Sequence, residues 1–500
     1  MFNFNNLTDV NGFDISNPKN ATQNSYAWSM TELGDYIYVG TSRNMLSSMV
    51  SMFGSAALSV PPSYITGKDN NAEIWRYKKD GSKPWQRVLK GKPCDKIQGF
   101  RAMITHKSNY SNAIYAATIG ENVQLFKSTD GIHWIKLNTK KLVGTSSRAL
   151  ASLNGRLYIA TLEQGIGGRT PYLYSSSDPE YEAFDLVIDP RENNFIPSKN
   201  PKGGIDNLSV FNNKLYVSIA TNNGAEIWRS NDCNPRNNSW TLIGDKGFGD
   251  KLNKNVMSSG VFKDKLYIAV TKQFPLSLYV PMGFDLIRID KNDNWEIVVG
   301  EEPILESYPS KGKRRKSISG LKSGFNNYFN VYGWQIQEFK DNLFITTYDA
   351  STNIKLLLDT FMYNKENLIK KVGTKDYKKF TDCFNIIYYI LNKYNYPKGF
   401  DIYTSIDGCQ FTPINLNGIN NSYNYGGRTL HVSSENELYL GTANPYEGCE
   451  VWKINCDNTP KYCHNAEVNS YLCTLRNLNK DLICVYPVLL ELFNKLLYKK

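Results

Sequence analysis

Three arginines and two tryptophans, Arg101, Arg148, Arg428, Trp28 and Trp334, hold equivalent places in a repeated unit, with Asp206 and Met257 at that place in the other two copies. A guanidinium grips a carboxylate or phosphate through two parallel hydrogen bonds. An indole offers a flat apolar face to a sugar or other ring. Gathered at one opening, the set suits a small acidic ligand. Arg43, Tyr348 and Asp349 fall in connections expected at the same opening, with Asn44, Glu121, Glu163, Gln164, Asn222, Asn223 and Asn444. An acid or phenol beside anchored arginines could move a proton, so a glycosidase or lyase using Tyr348, Asp349 or a loop Glu is the second reading.

The elements that position these residues are legible in a phrase that returns seven times: Asp35-Tyr-Ile-Tyr-Val, Asn112-Ala-Ile-Tyr-Ala, Arg156-Leu-Tyr-Ile-Ala, Lys214-Leu-Tyr-Val-Ser, Lys265-Leu-Tyr-Ile-Ala, Asn342-Leu-Phe-Ile-Thr and Glu437-Leu-Tyr-Leu-Gly. The step from Tyr115 to Tyr158 matches a four-stranded propeller blade of roughly 40–50 residues. One unit shows all four strands: Asn207–Phe211, then the Asn212-Asn213 turn, Leu215–Ile219, Glu226–Ser230 and Trp240–Ile243. The fold expected is all-β, a seven-bladed β-propeller over 1–456 with a helical C-terminal tail over 457–500. The last unit lacks its own fourth strand. Phe2–Val10 is expected to supply it and close the ring, leaving no free sheet edge.

Two turns read Ser128-Thr-Asp-Gly-Ile-His-Trp134 and Ser405-Ile-Asp-Gly-Cys-Gln-Phe411, with partial copies at Asp80-Gly81 and Ser230-Asn-Asp232. They resemble the Asp-box, or BNR-type, turns of sialidase-like and kelch-like propellers. The resemblance implies the propeller fold over about 450 residues, which is what a closed repeat array needs. For the sialidase-like members it implies three arginines holding a carboxylate. Those enzymes have six blades and a Phe-Arg-Ile-Pro start, whereas this chain has seven repeats and Gly99-Phe-Arg101-Ala102 without the proline. Binding is therefore read ahead of catalysis, with a protein-interaction scaffold as a third possibility. Glu73, Glu226, Asp285, Asp401 and Glu450 recur in the third strand, and that regularity points to blade stabilisation.

Insertions at 44–71, 301–330 and 350–398 all map to one face, the usual place for a binding surface on a rigid scaffold. The second carries a basic run, Lys311-Gly-Lys-Arg-Arg-Lys316, read as a solvated loop. The third is read as partly helical, and the apolar tail is expected to dock on the propeller rim or to contact a partner or membrane surface. The net charge of +11 on a chain with 21% charged residues and 33 Tyr fits a strand-rich protein without a nucleic-acid signature. Nine cysteines without a CxxC pair, and four histidines without ligand spacing, indicate neither metal nor cofactor. The N-terminus has no basic-then-apolar leader, so reduced thiols in the cytoplasm are expected, with the pairing of Cys456, Cys463, Cys473 and Cys484 left open.

Overall fold

A computed structural model describes residues 2–52, 58–162, 170–189, 201–456 and 466–498. Glu163, Gln164, Cys463 and His464 lie outside the described residues.

After β1 (Phe2–Asn6), α1 (Pro18–Gln23) leads into seven units of antiparallel strands. The first comprises β2 (Tyr26–Leu33), β3 (Tyr36–Ser42), β4 (Glu73–Lys78) and β5 (Gln86–Lys90), with α2 (Met45–Ser51) between β3 and β4. The second is β6 (Ile97–Lys107), β7 (Asn112–Gly120), β8 (Leu125–Ser128) and β9 (Ile135–Lys136); the third is β10 (Ser146–Leu153), β11 (Arg156–Leu162), β12 (Tyr172–Ser176) and β13 (Asp185–Ile188). The fourth is β14 (Gly204–Phe211), β15 (Lys214–Ala220), β16 (Glu226–Ser230) and β17 (Trp240–Gly244); the fifth is β18 (Asn253–Phe262), β19 (Lys265–Lys272), β20 (Asp285–Asp290) and β21 (Trp295–Val299). The sixth is β22 (Asn330–Phe339), β23 (Asn342–Asp349), β24 (Ile402–Ser405) and β25 (Thr412–Asn415); the seventh is β26 (Gly426–Val432), β27 (Leu438–Ala443) and β28 (Val451–Cys456). β1 pairs antiparallel with β28, Phe2 opposite Cys456 and Asn6 opposite Trp452. The first strand of each unit packs against that of the next, and β26 against β2. This is a β-propeller.

The repeated Tyr is where neighbouring units lock. In the Ser-x-Asp-Gly turn, Asp130 Oδ1 accepts from the backbone N–H groups of Ile132 and His133, both at 2.8 Å. Gly131, at φ +72°, then lies so close to Tyr38 of the preceding unit that a Cβ would fall 1.8 Å from its hydroxyl. Gly408 stands in the same relation to Tyr267, at 1.9 Å. Only glycine combines that left-handed backbone with that approach.

The third-strand acids are architectural. Asn24 Nδ2 donates to the Gly12 carbonyl (2.8 Å) and to Glu73 (3.1 Å). Asn253 bridges Gly247 and Asp285, Asn330 bridges Gly324 and Asp401, and Asn424 bridges Gly418 and Glu450 in the same way. Each bridge ties a third strand to the turn before a first strand and pairs the Asn amide nitrogen, as a buried donor must be.

The third insertion is helical: α3 (Ile354–Tyr363), α4 (Lys365–Val372) and α5 (Thr374–Lys393). The tail forms α6 (Ala466–Leu482) and α7 (Tyr486–Tyr498). α7 does not lie on the rim. Its Leu489, Leu492, Phe493 and Leu496 are buried in one cluster with Phe361, Phe380 and Phe384 of the insertion, and the Phe493 ring stacks on Tyr279 at 5.1 Å. The apolar face is spent on that cap. Among the described residues no helix is long and apolar enough to cross a membrane, and no cluster of metal-ligating side chains occurs. Cys473 and Cys484 are free thiols.

Candidate functional site

Every first strand breaks register at one equivalent position, skipping Trp28, Arg101, Arg148, Asp206, Met257, Trp334 or Arg428, and β6, β18 and β22 break a second time, at Gln98, Lys254 and Val331. A β-bulge leaves its extra residue out of the ladder and re-aims its side chain. Equivalence inferred from spacing is thus a shared backbone device on the innermost strand of every unit.

Two of the arginines are built alike. Trp28 lies over Gly99 of the next unit, where a Cβ would come within 2.3 Å of the indole, and the Arg101 guanidinium sits 5.2 Å from that ring. Trp334 lies over Gly426, where the same Cβ would come within 2.0 Å, and Arg428 sits 5.3 Å from its ring. Each glycine admits an indole, and each indole face holds a cation. Arg101 Nη1 also donates to Ser146 Oγ at 2.8 Å, and Arg148 Nη2 lies 3.1 Å from the Met257 sulfur.

The electrostatics are one-sided. Burial, then the charges of Arg148 and Arg428, hold Arg101 well below the usual arginine range. Burial and Arg148 bring Arg428 down to about 9. Three guanidinium groups therefore lie in one another's field. None of them forms an ion pair among the described residues, and Arg428 Nε is buried without a hydrogen-bond partner. Asp206 lies in the same field: burial raises its carboxyl, the Arg148 and Arg101 charges oppose that rise, and it accepts from Asn255 at 2.8 Å. All three arginines keep part of their surface accessible.

An aromatic layer adjoins the arginines. Tyr26 stands edge-on between Trp28 and Trp334, 5.7 Å from each, and its hydroxyl meets that of Tyr425. Tyr348 joins the layer, 5.1 Å from Trp334 and 4.8 Å from Tyr425. Burial pushes Tyr26 up to about 12 and Tyr348 well above the ordinary phenol value. Neither phenol is a base at neutral pH. The cap helices share this layer's apolar cluster.

The structure does not bring the other expected residues to the arginines. Arg43 is fully buried in an ion pair with Glu73 at 2.9 Å. Asn444 is buried against Asn424, Glu121 pairs with Lys96 at the surface, and Asn44 meets Asn70. Asp349 turns away from the channel. It accepts from Ser351 N (2.7 Å), Tyr396 Oη (3.2 Å) and Gly399 N (3.2 Å). It faces a second buried carboxyl, Asp401, which accepts from Asn330, Tyr403 and Tyr471. Burial and then the Asp401 charge raise Asp349 to about 8, and burial raises Asp401 to about 6.

Both carboxyl values lie above those of the unfolded chain, so the folded protein binds more protons between about pH 4 and pH 8 and loses stability as pH rises through that window. Below it both states are protonated and nothing is lost. Asp349→Asn is expected to denature at higher urea than wild type at pH 8 and to flatten the pH dependence between pH 5 and pH 8. Equal pH profiles would contradict this account.

Sequence reasoning missed Tyr26, Tyr425, Ser146 and the two glycines. A signal for the glycines existed, because Gly99-Phe-Arg101 and Gly426-Gly-Arg428 share a Gly-x-Arg spacing.

No family model and no curated protein matches the chain. Solved structures similar to it include the WD40 β-propeller domain of Doa1 (TM-score 0.44, 7% identity, 91% of this chain and 98% of that one). They also include a luciferin-regenerating enzyme (TM-score 0.35, 7% identity, 72% and 92%) and a subtype N11 neuraminidase-like protein of A/flat-faced bat (TM-score 0.33, 10% identity, 72% and 88%). At these scores the likenesses carry no argument; the fold rests on the strand pairing.

Proposed function

We propose that the protein binds a small acidic ligand at the channel of a seven-bladed propeller closed by β1. The candidates are a carboxylated metabolite, an acidic glycan or an acidic protein segment. Arg101, Arg148 and Arg428 grip the anion, and Trp28 and Trp334 wall its apolar part. The seven units form the scaffold with Asp-box turns, and α6 and α7 complete the cap. One observation supports the reading: three guanidinium groups share one field with Asp206, and among the described residues none of the three forms an ion pair. Buried charge is costly unless paired, and an anionic ligand is the partner that arrangement lacks. The glycosidase or lyase alternative is weaker, because the Tyr348 phenol is tied to Asn353 at 2.7 Å and Asp349 faces Asp401.

Calorimetric titration with citrate, glucuronic acid and sialylated oligosaccharides tests this. At least one should bind saturably, and Arg101→Ala with Arg428→Ala should weaken it by about 10-fold or more, since a hydrogen bond to a charged group contributes roughly 1.5–3 kcal/mol. Unchanged binding in the double variant would refute the site. Turnover of a chromogenic uronide would instead favour the enzyme.

A further inference from the structure

The basic run is a presented surface. Trp295 Nε1 donates to the Lys311 carbonyl at 3.0 Å, and Gly312 lies on the indole so closely that a Cβ would fall 2.7 Å from Nε1. Arg314 turns inward, donating to Asp285 at 2.8 Å and to the Glu301 carbonyl at 2.7 Å. Ile318 N donates to the Ile297 carbonyl at 3.0 Å, so the segment runs along the outer edge of β21. One arginine of the run is thus an anchor. Its neighbours Lys311, Lys313, Arg315 and Lys316 are exposed.

These four cations and Lys265 line a groove of about 1020 Å³ between the insertion and β20–β21. Its other charges are already used. Arg288 is paired with Glu296 at 2.8 Å, and Asp293 with Arg229 of the neighbouring unit at 2.9 Å. Asp290 holds its own turn through the N–H groups of Asn292 and Asn294. Among the described residues none of the five remaining cations has an ion-pair partner. A run fixed at both ends has given up its chain entropy before any partner arrives, which lowers the cost of association.

We propose that this groove docks an extended acidic peptide segment of a partner protein, independently of the channel site. Two observations favour peptide over nucleic acid. The floor carries Asp290 and Glu296, which a continuous phosphate backbone would have to cross and which a peptide can meet with neutral or basic residues. Among the described residues the groove's one aromatic, Trp295, is buried beneath Gly312 and offers no face for base stacking.

The test is fluorescence anisotropy on the full chain with a fluorescein-labelled (Asp-Ser-Glu)4 peptide and a labelled oligouridylate of equal charge. The peptide should bind saturably at low salt and weaken as salt is raised. Lys313→Glu with Arg315→Glu should lose about 10-fold or more, the effect of about 1.4 kcal/mol, without change in urea midpoint. The same variant should keep any affinity for citrate, which separates this groove from the channel. No saturable peptide binding, peptide affinity unmoved by the charge reversal, or tighter binding of the oligouridylate would each overturn the proposal.

Discussion

Arg428→Met is expected to denature at higher urea than wild type in anion-free buffer, while sulfate, phosphate or citrate stabilises wild type and leaves the variant unmoved. The sign follows from the field at the bulge. Burial and Arg148 bring Arg428 down to about 9, and its Nε finds no acceptor. A guanidinium stays protonated at neutral pH, so the disfavour is carried as lost stability. Methionine keeps much of the side-chain length and an aromatic contact with Trp334. Removing an unsatisfied buried polar group should recover roughly 1–3 kcal/mol. An anion that fills the gap stabilises through mass action, by about 2.7 kcal/mol at a hundred times its dissociation constant. A variant less stable than wild type in anion-free buffer, with a wild type indifferent to anions, would show that the arginines are satisfied by the fold.

Glu73→Ala is expected to cost about 3–5 kcal/mol in urea denaturation, as breaking a buried pair by removing one partner does. Glu73 is fully buried and accepts from Asn24, Trp75 and Arg87, besides its ion pair with Arg43. Burial would raise its carboxyl, but the Arg43 charge together with the hydrogen bonds from Asn24, Trp75 and Asn20 outweighs that and holds it below the ordinary glutamate value. Alanine leaves the fully buried Arg43 guanidinium with Asp69, at 4.0 Å, as its remaining ion-pair partner. Adding Arg43→Met to Glu73→Ala should therefore restore part of the loss. If the double variant is less stable than the single one, the Arg43 charge is not the source of the cost.

The blades were legible because their signals are local. A Tyr in a four-residue apolar phrase, a Ser-x-Asp-Gly turn and an Asn-Asn hairpin each act within a few residues, and repetition multiplies them. β1 was legible by subtraction, since the seventh unit had three strands; its ladder ends at Asn6, beyond which Leu7 and Thr8 still bond to Val451. The site was legible only in part. Spacing aligned seven positions, but a bulge is a backbone event without a fixed residue type, so the re-aimed side chains were not visible. Arg43 and Asp349 were misplaced for another reason. Their partners, Glu73 and Asp401, lie 30 and 52 residues away, and no local pattern announces such a pairing. The anchoring of Lys311–Lys316 depends on Trp295 and Asp285 in the same way.

The bulges also bear on how such a channel can change. A side chain within a first-strand ladder is committed to the contact between two blades, and altering it disturbs the packing of both. The skipped residue is outside the ladder, although Trp28 and Trp334 still pack on Gly99 and Gly426 of the next blade. Trp, Arg, Asp and Met already occupy the seven equivalent skipped positions on essentially the same backbone. Single-codon changes there can rewrite the chemistry of the opening one blade at a time, each tried separately, while the ring that presents them is inherited intact.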